Sequence, residues 1–123
     1  METKYLGKPT TGPVTDLDTF PNPGIDMVTM ESDEVTSFCP VTGQPDYYVV
    51  SIEYSPDELC IESKSLKLYL WHFRDRSIFA EALAVEIKDK VVETIRPRLC
   101  TVTTAQKSRG GIKITSVANF SRA

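Results

Sequence analysis

Two helical stretches set between runs of β-type sequence are what most constrain the fold. From Lys64 to Phe73, Leu66, Leu70 and Phe73 recur at helical spacing, which predicts an amphipathic helix. Asp75-Arg76-Ser77 interrupts it. A second helix follows, with Ile78, Ala82, Val85, Val92 and Ile95 expected on one side, and Glu86, Lys88, Asp89, Lys90 and Glu93 largely on the other. Pro97 ends it. Ahead of the pair, Tyr47 to Tyr54 is aromatic and β-branched and reads as a strand, closed by the turn signal Ser55-Pro56-Asp57. After it, Leu99 to Thr104 and the alternating run Ile112 to Val117 read as two more strands joined at Ser108-Arg109-Gly110-Gly111. Hairpin-forming strands with helices grouped between them predict an α+β domain built on an antiparallel sheet.

The flanks are plainer. Residues 1–24 carry Pro9, Pro13, Pro21 and Pro23 together with Gly7, Gly12 and Gly24, and read as an extended N-terminal arm. Residues 25–123 are then the single folded domain, as expected for a chain of 123 residues. Met27 to Met30 could begin a short strand. The acidic residues Glu31, Asp33 and Glu34 and the loop holding Cys39 come next.

Composition narrows the function classes. A net charge of −3 lacks the basic footprint of a nucleic-acid binder, so no nucleic-acid partner is expected. The C-terminal part is locally basic (Lys107, Arg109, Lys113 and Arg122), which suits an anionic small molecule. No apolar run approaches the ~18–20 residues that cross a bilayer, and the first residues lack the apolar core of a signal peptide. The expected location is the cytoplasm. Three cysteines without CxxC spacing argue against a disulfide framework, and a single histidine, His72, argues against a zinc site.

Four groups of residues bear on chemistry. Cys39 sits in a loop stiffened by Pro40, Gly43 and Pro45, with Asp46 close behind, so a thiolate and a carboxyl group can be held in fixed relation for nucleophilic attack and proton delivery. A free cysteine is more often a small buried hydrophobe, and that is the expectation for Cys60 and Cys100. Glu62-Ser63-Lys64-Ser65-Leu66-Lys67 reads as a helix N-terminus capped by Ser63, where free N–H groups and two lysines could meet a phosphate, and where Glu62 could accept hydrogen bonds from an amidine-like base edge. Arg109-Gly110-Gly111 is either a simple hairpin turn or a phosphate contact. Glu81, early in the second helix, is either a solvated residue favourable to the helix dipole or a ligand anchor.

Together these residues resemble the NADPH-dependent 7-cyano-7-deazaguanine reductases of queuosine biosynthesis in their short, single-module form. The pattern Cys-Pro-x-Thr-Gly-Gln-Pro-Asp matches at Cys39–Asp46, Glu-Ser-Lys-Ser-x-Lys-Leu-Tyr at Glu62–Tyr69, and Arg-Gly-Gly at Arg109–Gly111. Tyr5-Leu6-Gly7 and Thr19-Phe20-Pro21-Asn22 also look like the family's N-terminal arm, so nearly the whole chain is covered. The resemblance implies the tunnelling fold (T-fold): an antiparallel sheet with two helices on one face, assembled into an oligomeric barrel with sites between subunits. The usual state is a homo-oligomer of two stacked rings, a decamer. It implies that Cys39 attacks the nitrile carbon of 7-cyano-7-deazaguanine to form a thioimide and that Asp46 donates the proton. It implies NADPH as cofactor and hydride source. Ile61, Glu62 and Ser63 match the segment that holds the base, and Ala80 and Glu81 match its second anchor. Ser63, Lys64, Arg109 and Gly110 match positions implicated with NADPH.

One departure stands out. The family places a histidine before the second carboxylate, and this chain has Ala80 there. Alanine can neither hydrogen-bond the substrate nor relay a proton. Two further readings follow: an archaeosine-synthase-like amidinotransferase of the same fold, which forms the same adduct but uses ammonia, and a non-catalytic module holding a purine or pterin. A zinc-dependent GTP cyclohydrolase of related fold is disfavoured by the absence of the metal-ligand histidines.

Overall fold

In a computed structural model, residues 12–122 are described. Four long strands form one antiparallel sheet in the order β2-β3-β5-β6: β2 Val28–Phe38, β3 Pro45–Ser55, β5 Leu99–Arg109 and β6 Ile112–Ser121. A second, two-stranded sheet pairs β1 Thr19–Pro21 with β4 Leu59–Ile61. Helices α1 Ser63–Trp71 and α2 Ala80–Ile95 lie between β4 and β5 in sequence, with a short 3-10 turn at His72–Asp75. No helix among the described residues is long and apolar enough to cross a membrane.

Period-two alternation sets the sheet's inner face. Asp46, Tyr48, Val50, Ile52 and Tyr54 of β3 are buried, as are Cys100, Val102, Thr104 and Gln106 of β5. Tyr47 and Lys107, on the other face, are exposed. The helices cover the buried side. Leu83, Ile87, Val91 and Ile95 of α2 and Leu66, Tyr69 and Leu70 of α1 join one core with Phe73 and the inner strand residues. Cys60 and Cys100 are buried, as expected of small core hydrophobes.

Several sequence expectations are corrected. The short strand expected from Met27 is longer: β2 runs from Val28 to Phe38 through the acidic residues Glu31, Asp33 and Glu34 and absorbs one irregularity between Ser32 and Val35. All three acidic residues are exposed, on an edge strand of the sheet. The buried stripe of α2 is Ala80, Leu83, Ala84, Ile87, Val91 and Ile95, whereas Ala82 and Val85 face outward. The helix is apolar on more than one side, so spacing alone did not pick the face that meets the sheet. Arg96, left-handed at φ 45°, ends α2 ahead of Pro97.

Ser63 is not the cap of α1. Glu62 is, and its carboxylate accepts from the N–H groups of Lys64 (2.7 Å) and Ser65 (2.8 Å). The stretch that reads as an arm enters the fold by residue 17: Leu17 and Asp18 are buried, the Asp18 carbonyl accepts from the Glu62 N–H (2.9 Å), and β1 pairs at the end of the stretch. Its earlier part, residues 1–11, lies outside the described residues, as does Ala123.

Candidate active site

Cys39 and Asp46 stand on either side of the turn from β2 to β3, and strand pairing holds the turn closed. The Cys39 N–H donates to the Gln44 carbonyl and the Gly43 N–H donates to the Cys39 carbonyl, both at 2.9 Å. Gly43 takes φ 70°, a left-handed value that favours glycine. The folded-over loop points the Thr42 N–H and hydroxyl toward the Cys39 sulfur. These contacts, followed by the Val41 N–H, lower the thiol from 9.0 to about 7. Arg109 adds to the shift as a smaller cause. Cys39 is half-buried, so reagents reach it.

A lowered thiol pKa means thiolate above about pH 7 and thiol below it. Alkylation of Cys39 by iodoacetamide is therefore expected to reach half its limiting rate near pH 7, and Thr42→Val to move that midpoint upward. A wild-type midpoint close to 9 would contradict this account of the loop.

Asp46 is buried on the inner face at the start of β3. Its Oδ1 accepts from the Arg109 guanidinium and from Gln106 Nε2 (3.3 Å). Arg109 also donates to Gln44 Oε1 (2.7 Å) and Thr42 Oγ1 (3.1 Å), so one side chain ties the end of β5 to the cysteine loop and to the acid. The contact with Asp46 is the main cause that raises the Arg109 pKa further, keeping it charged. Strand β5 runs through Arg109, and the reversal is the pair Gly110-Gly111 at φ 59° and 80°, the positive-φ turn that matches strand twist.

Behind the acid, the buried hydroxyls of Ser37 and Tyr48 bond each other at 3.0 Å, and burial raises the Tyr48 phenol.

The start of α2 reaches this end of the sheet. The Ile78 N–H donates to the Phe38 carbonyl (3.1 Å), the Phe38 N–H donates to the Arg76 carbonyl (2.9 Å), and the Thr104 hydroxyl holds the Ala80 carbonyl at 3.1 Å. Ala80 is buried and Glu81 exposed in the first turn. The other group, Ile61 to Lys64, lies elsewhere. The Ile61 N–H donates to the Tyr54 hydroxyl (3.0 Å), and Tyr54 pairs with Cys100 near the far end of β3. Asp46 and Tyr54 are ~27 Å apart along the strand at ~3.4 Å per residue. One copy of the chain thus unites Cys39, Asp46, Arg109 and the start of α2, and keeps Glu62, Ser63 and Lys64 at the opposite end.

The start of α1 is also not the open anion cradle its sequence suggests. The Glu62 carboxylate already occupies the N–H groups of Lys64 and Ser65. What remains for a phosphate there is the exposed Ser63 and Lys67 and the half-buried Lys64. A groove of about 940 Å³ between β2 and α1 is lined by Ser63, Lys67 and Arg74 on the helical side and by Glu31 and Glu34 on the strand side. Gln106, Thr42 and Gln44 belong to the site and were not singled out from sequence. Gln106 follows from the alternation of β5 once that strand is extended past Thr104. Thr42 and Gln44 lie inside the motif itself.

A thiol poised near neutrality, a buried carboxyl group within the same hairpin and an arginine between them define a site suited to covalent addition with proton transfer, on an α+β sheet. A family model described as QueF-like protein matches residues 45–123. A protein of Alkalilimnicola ehrlichii is 48% identical over 111 residues, covering 88% of this chain and 86% of the relative. One of Syntrophus aciditrophicus is 47% identical over 113 residues, covering 89% and 81%. Both are named NADPH-dependent 7-cyano-7-deazaguanine reductase. The crystal structure of an archaeosine synthase described as QueF-Like, in the apo form, superposes with a TM-score of 0.76 at 26% identity, covering 81% of this chain and 98% of that one. The chain belongs to the family of the NADPH-dependent 7-cyano-7-deazaguanine reductases.

Proposed function

We propose that this chain reduces the nitrile of 7-cyano-7-deazaguanine to an aminomethyl group with NADPH, in the queuosine branch of tRNA modification, through a thioimide on Cys39. The observation that carries the mechanism is the pairing of a thiol lowered to about 7 with the buried Asp46 carboxyl group in one hairpin. The Cys39 sulfur adds to the nitrile carbon while one C–N π bond breaks, and the proton passes from Asp46 to the nitrile nitrogen. NADPH, when bound, supplies hydride. The C–S bond breaks as the reduced carbon collapses to an imine and the sulfur leaves as thiolate; a second hydride from NADPH, with a further proton on nitrogen, would convert the imine to the aminomethyl group.

The basic character of the exposed Lys67, the half-buried Lys64 and the Arg109-Gly110 turn fits the phosphates of a dinucleotide. Ser63, Lys64, Arg109 and Gly110 are the residues proposed to hold it. Ile61, Glu62 and Ser63 would hold the deazaguanine, with Glu81 as the second carboxylate against its N–H groups. The Glu62 oxygens each accept one helix N–H and retain a further lone pair for a base.

The separation of Cys39 from Glu62 along β3 supports a site shared between copies, as in a tunnelling-fold barrel. The chain is proposed to work as such a homo-oligomer, in the cytoplasm where its tRNA pathway runs. Residues 25–123 are proposed as the single catalytic domain.

The test is direct. Purified protein given 7-cyano-7-deazaguanine is expected to form a chromophoric adduct and, with NADPH added, to oxidise NADPH in a substrate-dependent way. Cys39→Ala and Glu62→Gln, each impaired alone, are expected to regain a substantial fraction of activity when mixed after subunit exchange. Absence of recovery would place both residues in one copy and overturn the shared site. A second reading has one specific observation behind it, Ala80 in the family's histidine position, together with the structural likeness to an archaeosine synthase. Under that amidinotransferase reading the adduct forms and NADPH is never consumed. A binding module would form no adduct.

A further inference from the structure

We infer that Gln106 is a positioning residue for the acid: it holds Oδ1 of Asp46, so that the transferable proton sits on Oδ2. The inference deepens the proposed reduction and rests on it. Gln106 stands on the inner face of β5, directly opposite Tyr48 of β3, and is almost wholly buried at 9% exposure. Its amide donates to Asp46 Oδ1 at 3.3 Å.

Arg109 donates to the same oxygen. A carboxylate oxygen offers two lone-pair sites, and the two donors fill those of Oδ1. In the acid form the Gln106 N–H on Oδ1 favours that oxygen as the carbonyl and leaves the proton to Oδ2. The two donors differ in what they permit. Arg109 is charged and Gln106 is not. Arg109 has a side chain 31% exposed, flanks the Gly110-Gly111 turn and has other acceptors in Thr42 and Gln44, so it can leave the acid without being stranded. Gln106 is neutral and fixed on a paired strand. Its N–H serves a carboxylate oxygen and the carbonyl oxygen of a carboxylic acid alike, so its hold persists through the proton transfer.

Ala80, whose carbonyl is held by Thr104 two residues before Gln106, brings no polar side-chain group to this end of the sheet. Gln106 supplies a polar side chain there, in contact with the acid itself.

The experiment compares wild type with Gln106→Met, which keeps the shape and removes the donor. It also uses Gln106→Asn, which keeps an amide one methylene short of reaching Oδ1. Alkylation of Cys39 by iodoacetamide is expected within about twofold of wild type, because the sulfur's principal contacts are in its own loop. Thioimide formation with 7-cyano-7-deazaguanine is expected to fall roughly ten- to hundredfold, and kcat to fall with KM little changed. An unchanged rate of thioimide formation in a folded variant overturns the inference, as does a raised KM at unchanged kcat. Wild type that forms no adduct at all marks the failure of the reductase reading instead, and the inference falls with it.

Discussion

Replacing Cys39 with alanine is expected to abolish the chromophoric adduct and to lower substrate-dependent NADPH oxidation by about four orders of magnitude or more, the scale on which removal of a covalent nucleophile acts. The physical reason is the weakness of a nitrile as an electrophile. Addition of sulfur converts it to a thioimide, and protonation makes that carbon a good hydride acceptor. Without sulfur, hydride has to attack the nitrile unaided. The substitution is expected to leave the fold in place. Cys39 is half-buried in a turn, and the turn is held by its backbone N–H and carbonyl, which alanine keeps. Comparable NADPH oxidation by Cys39→Ala and wild type would remove the covalent mechanism.

The second large effect is expected of Asp46→Asn. Asparagine keeps the size and one acceptor oxygen of a buried residue, and it cannot deliver a proton. Thioimide formation is expected to fall by ~10²- to 10⁴-fold, the usual contribution of a positioned general acid. The same variant is expected to keep Cys39 reactive toward iodoacetamide at neutral pH. The contacts that lower the thiol come first from Thr42 and Val41, and loss of the neighbouring carboxylate leaves Arg109 free to face the sulfur. The two readouts separate acid from nucleophile. A parallel loss of alkylation and adduct formation would mean that Asp46 supports the loop and not the proton transfer.

Much of the site was legible in the motifs. Cys39 and Asp46 flank a turn whose proline and glycine content already marks it as rigid, and the turn that forms is closed by backbone hydrogen bonds at its base. Arg109 was legible as a charged residue beside a Gly-Gly reversal, but its partner was not. Asp46 meets Arg109 because β3 and β5 pair antiparallel, with Tyr48 opposite Gln106. That register is a long-range property. Glu62 illustrates the same limit on a shorter scale: serine is the commoner cap, yet the longer carboxylate reaches forward to the N–H groups of Lys64 and Ser65 and takes the position.

Local sequence by itself indicated the long strands β3, β5 and β6, the two-helix insert, the Gly110-Gly111 reversal and a cysteine and a carboxyl group held in one stiff loop. These depend on periodicity, turn preference and residue chemistry, all carried within a few residues. Tertiary structure alone decided which face of α2 is buried, that β1 and β4 pair, that Gln106 and Arg109 share one oxygen of Asp46, and that Glu62 stands at the far end of β3 from Cys39. Each of these depends on strand register and packing between segments distant in the chain, and no local pattern of side chains encodes that distance.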